Sequence, residues 1–85
     1  MTDEIKAGLV EKFFAKPSVA VIKLEVEINL GDSIHFKGNT TDFTQTVDSM
    51  QLDHVIFTKA PAGSSIGIKV KDRVRAGDDV FKIIS

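Results

Sequence analysis

The sequence predicts an all-β fold. The expected form is one small antiparallel β-barrel, closed or nearly closed, with Greek-key-like connections, and residues 1–85 form a single domain. Three observations lead there. Ala20, Ile22, Leu24, Val26 and Ile28 alternate with Lys23, Glu25 and Glu27, the period-two pattern of a half-buried strand. A Gly-Asp pair precedes an apolar alternation twice, at Gly31-Asp32 and Gly77-Asp78, and each reads as a turn because Gly reaches positive φ and Asp bonds its own backbone. Finally, about seven short strand-like runs are separated by turn signals at the spacing of all-β barrels and sandwiches. A chain of 85 residues buries a modest core, which closure would help.

Taken in order, the first segment is even between two readings. Ile5, Leu9 and Phe13 recur at helical spacing, with Thr2 as a cap, but Gly8 would sit mid-helix, and Leu9–Phe14 reads equally as a strand. Pro17 ends the segment either way. The alternating run from Ala20 follows, then the first Gly-Asp turn. Ser33–Lys37 is a short strand with Ile34 and Phe36 on one face and Ser33, His35 and Lys37 on the other, and Gly38-Asn39 turns the chain again. Thr40–Val47 is rich in Thr and reads as a strand with Phe43 and Val47 on one face. Met50 falls on the other parity, so a bulge or break is expected near Asp48-Ser49. Leu52–Phe57 is a further strand or an irregular passage, and Ala60–Ser64 is a loop. Ile66, Ile68 and Val70 mark a strand, and Val80–Ile84 closes the chain. The expected core is Ile22, Leu24, Val26, Ile34, Phe36, Ile66, Ile68, Val70 and Val80.

Composition bounds function loosely. A net charge of −1 argues against a surface that grips nucleic acid all round. The absence of cysteine excludes disulfides and thiolate metal sites. No run approaches the roughly 20 apolar residues of a membrane span, and the acidic start is unlike a secretory signal. The expectation is a soluble, cytoplasmic protein with no membrane association.

Chemistry-bearing motifs are sparse. No phosphate-binding loop is present, and Gly63–Gly67 leads into a strand. His54 beside Asp53, with Ser49 nearby, is the one arrangement that a small hydrolase would need, yet such residues coincide by chance in a small domain. His35 and His54 lack metal-ligand spacing, and no cofactor or metal is expected. Asp78 belongs to the turn, and Asp79 points to the opposite face. The charge pattern that remains is Lys69, Lys71, Arg73 and Arg75. On an extended strand these four would project from one face about 6–7 Å apart, which suits a row of phosphates. The blander reading is favoured: they solvate an outer face, and the chain bends at Asp72.

The ordered set Leu30-Gly31-Asp32-Ser33-Ile34, Val47-x-Ser49-Met50, Ala60-x-Ala62-Gly63, Ile66-Gly67-Ile68 and Val74-x-x-Gly77-Asp78-x-Val80 resembles domain II of the translational GTPases, the elongation-factor-Tu type β-barrel. More narrowly, Thr40–Phe43 and Ser49–Gln51 look like stand-alone translation elongation factor-like proteins. A similar barrel occurs at the C-terminal end of some collagenase-like U-family peptidases. The resemblance implies a domain II fold, tips the first segment toward strand, and implies no GTP binding, since the GTP-binding domain is absent. The expected role is a non-enzymatic binding module with tRNA, rRNA or a ribonucleoprotein as partner, contacted through Lys69, Lys71, Arg73 and Arg75. The alternative is a protein-interaction barrel docking on a collagenase-like peptidase or a GTPase, and a small enzyme built on His54 and Asp53 is a third reading.

Overall fold

The computed structural model describes residues 3–52 and 55–84. Two turns of one design anchor its sheet. In each, a Gly with φ near +90°, Gly31 or Gly77, occupies the third position, where a side chain would be strained. The Asp that follows, Asp32 or Asp78, donates its backbone N–H to the carbonyl of the first residue, Asn29 (3.1 Å) or Arg75 (3.0 Å). Its carboxylate accepts the first residue's N–H in return, from Asn29 at 2.8 Å and from Arg75 at 2.9 Å. Both turns launch a strand directly.

The described residues form ten strands: β1 (Glu4–Phe14), β2 (Val19–Leu24), β3 (Ile28–Asn29), β4 (Ser33–Lys37), β5 (Asp42–Thr46), β6 (Met50–Leu52), β7 (Val55–Phe57), β8 (Lys59–Ala60), β9 (Ser65–Lys69) and β10 (Asp79–Ile83). Eight make one antiparallel sheet in the order β5-β4-β10-β1-β2-β9-β6-β7, and β3 pairs with β8 separately. The expected count was lower because β3, β6, β7 and β8 are only two or three residues long.

The first segment is a strand throughout. Register shifts lie between Lys6 and Gly8 against β10 and between Val10 and Lys12 against β2. These bulges explain the helix-like spacing: each extra residue resets the alternation. Ala7 and Val10 turn into the core, while Ile5, Leu9 and Phe14 face outward. The alternating run from Ala20 keeps its inward parity but is not one strand. After Leu24 the chain leaves β2, with Glu25 N–H donating to Ala7 O (2.7 Å) and Leu24 N–H to Ser64 O (2.8 Å). Ile28 resumes in β3.

The expected closed or nearly closed barrel is corrected: the sheet stays open, with β5 and β7 as its edges. Beyond Thr46 the chain extends its hairpin with β4, with Val47 N–H donating to Asp32 O (2.8 Å) and Gly31 N–H to Val47 O (3.0 Å). Beyond Lys69, Val70 N–H donates to Ser18 O (2.8 Å) and extends the β2–β9 ladder. The closing pair of β5 with β7 does not form: β7 is three residues long and pairs with β6 alone.

The core lies on the inner face. Ile22, Leu24, Ile34, Phe36, Ile66, Ile68, Val70 and Val80 are buried as expected, joined by Ala7, Val10, Ala20, Ile28, Val47, Met50, Ala60 and Val74. Val26 packs against this cluster only partly buried. Phe36 stacks on Phe43 with ring centroids 5.1 Å apart.

Gly8 sits where the β2 backbone crowds β1. A Cβ there would collide with the Lys23 carbonyl oxygen and press on Ile22 Cγ2 at 3.0 Å. Gly8→Ala is expected to destabilise the protein by about 1–3 kcal/mol, the range for overpacking against unyielding backbone. A urea unfolding midpoint indistinguishable from that of the unsubstituted chain would contradict this.

Candidate functional site

The four basic residues singled out in the sequence do not form one row. β9 ends at Lys69 and the chain bends at Lys71-Asp72. The Asp72 carboxylate accepts the Arg73 N–H (2.8 Å), and Arg75 opens the second Gly-Asp turn. Lys69 and Lys71 line one groove, while Arg73 and Arg75 line a separate hollow with Thr40–Phe43. All four are exposed, and none makes an ion pair among the described residues.

The first groove, about 700 Å³, lies at the open seam of the sheet, between Thr44–Thr46 of edge strand β5 and Lys69–Lys71. Across this seam runs one side chain. Gln45 Nε2 donates to Lys69 O (2.8 Å), and Lys71 N–H donates to Gln45 Oε1 (2.9 Å). Gln45 pairs with the buried Ile34 and so follows the inward parity of β5. A polar side chain pointing inward from an edge strand blunts that edge against further pairing.

The outer face divides into two regions of different charge. Over β4, β10 and the start of β1 most charges are paired, with Lys37 outside the ion pairs among the described residues. Lys6 meets Asp79 at 3.1 Å and Glu25 at 3.8 Å, and the Asp79 hydrogen bond holds its ammonium above the ordinary lysine pKa. His35 lies outward, as its parity predicted, but it is gripped on both sides. Its Nε2 is 2.5 Å from Asp42 Oδ1 and its Nδ1 is 3.0 Å from Glu4 Oε2.

Over β1, β2 and β9 the pattern differs. Cross-strand pairing sets Lys12, Val21, Gly67, Gln51 and Ile56 in one outward row, with Phe14, Val19 and Lys69 in the next. Phe14 is 49% exposed and Ile56 69%. Lys12 and Lys69 have no ion-pair partner among the described residues. This is an apolar strip with unpaired cations.

Sequence reading missed Gln45, the Glu4–His35–Asp42 cluster and the apolar strip, because each depends on which strands become neighbours. A lone amide in the Thr-rich run was the available signal for Gln45. The candidate pair His54 and Asp53 lies outside the described residues, while Ser49 lines the seam groove. Asp78 is buried and anchors its turn, and Asp79 faces the opposite way. Among the described residues no cluster of three or more His, Asp or Glu is placed to hold a metal ion, and no helix is long and apolar enough to cross a membrane.

No family model matches the chain. It is 38% identical over 79 residues to an uncharacterised protease of Methanocaldococcus jannaschii, a match covering 92% of this chain and 19% of that protein. It is 32% identical over 81 residues to a collagenase of Porphyromonas gingivalis, covering 93% of this chain and 20% of the collagenase. The chain thus spans about a fifth of the length of the curated relatives it matches. The crystallised C-terminal domain of a Geobacillus thermoleovorans protein named as a U32 peptidase superposes with a TM-score of 0.85 at 21% identity, covering 91% of this chain and 90% of that domain. These relatives are peptidases by name, which overturns the translation elongation factor-like assignment and the place in protein biosynthesis that it implied. The quoted residues misled because they serve the sheet itself: Gly31-Asp32 and Gly77-Asp78 build its turns, and Gly67 lets Val19 and Gln51 approach β9. They specify architecture, which by itself implies no role.

The His35 cluster makes stability depend on pH. Only the imidazolium donates to both carboxylates, and the Asp42 and then the Glu4 hydrogen bond raise its pKa above the ordinary histidine value, against some burial. A raised folded-state pKa stabilises fully below the unfolded value, about 6.5, and this contribution is lost as pH rises through the folded value. Asp42 is largely exposed, so the contribution stays below about 1 kcal/mol. Thermal unfolding of the unsubstituted chain and of His35→Gln should differ most at the acid end of a pH 5.5–8.5 series, around the ordinary histidine pKa of about 6.5, and converge at its alkaline end. A constant difference across the series would refute the clamp.

Proposed function

We propose that this chain is a non-catalytic protein-contact module of the collagenase-like peptidase type, and that it docks on a larger peptidase body. The observation that carries this reading is the match to two named peptidases, each along nearly all of this chain and only about a fifth of the peptidase. In such proteins a unit of this size is accompanied by a body roughly four times longer.

The surface fits that role. Phe14 and Ile56 are exposed, the half-buried Val19 and Val21 lie on the same outward face, and exposed apolar surface marks contact sites. Lys12 and Lys69 at its margin favour an acidic rim on the partner, which would steer docking and select orientation. The expected partner surface is therefore apolar with carboxylates around it.

The test mixes the labelled chain with the Methanocaldococcus jannaschii relative from which the matching 79 residues have been deleted. Saturable binding tighter than about 10 μM is expected, and Val21→Glu should weaken it at least about tenfold while leaving the chain folded. Absence of binding at about 100 μM, together with salt-sensitive binding to structured RNA, would overturn the peptidase reading.

A further inference from the structure

The geometry points to a latent strand slot at the open seam, which takes an extended acidic peptide segment in place of the Gln45 carboxamide. The two hydrogen bonds that Gln45 makes, to Lys69 O and from Lys71 N–H, use the backbone groups on either side of Val70 that an incoming strand would bond on that wall. On the opposite wall, β5 has β4 as its one sheet neighbour, so its outer backbone groups face the seam. An entering segment would therefore find a hydrogen-bonding backbone on both sides. The Gln45 side chain, and no backbone ladder, joins the two walls.

The charge around the slot names the occupant. Lys69 and Lys71 stand two residues apart and unpaired among the described residues, which matches carboxylates on alternate positions of an extended peptide. Asp48 is the one acid on the lining and stands against two lysines. Hydroxyls of Ser33, Thr44 and Thr46 line the same groove. The slot deepens the protein-contact reading and rests on it, and it shares Lys69 with the margin of the apolar strip.

The experiment uses the intact chain with isotope-labelled backbone amides. The probes are a capped five-residue peptide alternating glutamate with valine or threonine, and its lysine counterpart. The acidic peptide should shift the amides of Thr44–Thr46 and Lys69–Lys71 with a dissociation constant at or below about 1 mM. Gln45→Ala, which removes the competing carboxamide, should tighten binding about fivefold, and Lys69→Ala with Lys71→Ala should weaken it about fivefold. The lysine peptide should leave those amides unmoved. No shift at about 5 mM acidic peptide, shifts elsewhere, or an equal response to the lysine peptide would each overturn the slot. Should Gln45→Ala fail to fold, the lysine variants and the peptide pair still decide it. Failure here with intact docking to the truncated peptidase would remove the slot and leave the module reading standing.

Discussion

The backbone of β1 is the constraint on which the rest depends. It is the strand that joins the two halves of the sheet, pairing with β10 on one side and β2 on the other. Both halves also fasten to it outside the ladders. Val10 exchanges hydrogen bonds with the second Gly-Asp turn, donating to Asp78 O and accepting from Gly77 N–H, and Ala7 O takes the Glu25 N–H where the chain leaves β2. An eleven-residue strand can serve so many partners because its two bulges re-aim its groups. Gly8, at the first bulge, lets the Lys23 carbonyl come within reach.

At the open seam a side-chain amide stands where a ladder would be: Gln45 donates to Lys69 O and accepts from Lys71 N–H. Val47 and Val70, just past the two facing walls, donate their N–H groups to Asp32 and Ser18 and so extend the β4–β5 and β2–β9 ladders away from the seam. Buried polar side chains in the described part are all satisfied, as expected for a native interior where an orphaned group is costly.

On the outer face the division of charge is functional information that the core cannot supply. Lys6, Asp79, Glu4, His35 and Asp42 neutralise one another locally. Lys12 and Lys69 stay outside the ion pairs among the described residues, on the same face as the exposed Phe14.

The strands from Ala20, Ser33 and Ile66, the two Gly-Asp turns and most of the core were legible in the sequence. Period-two alternation and turn chemistry are local properties, set by which way consecutive side chains point. The strand character of Glu4–Phe14 was not legible in the pattern alone, because bulges shift parity only in response to a neighbouring strand. Nor was the failure to close, which depends on how far β7 extends, or the seam at Gln45, which joins residues far apart in the chain. The basic residues from Lys69 to Arg75 were visible as a pattern, but the bend at Lys71-Asp72 and the turn at Arg75 distributed them over separate surfaces. Tertiary structure decided these matters because each depends on which distant backbone group is within hydrogen-bonding reach.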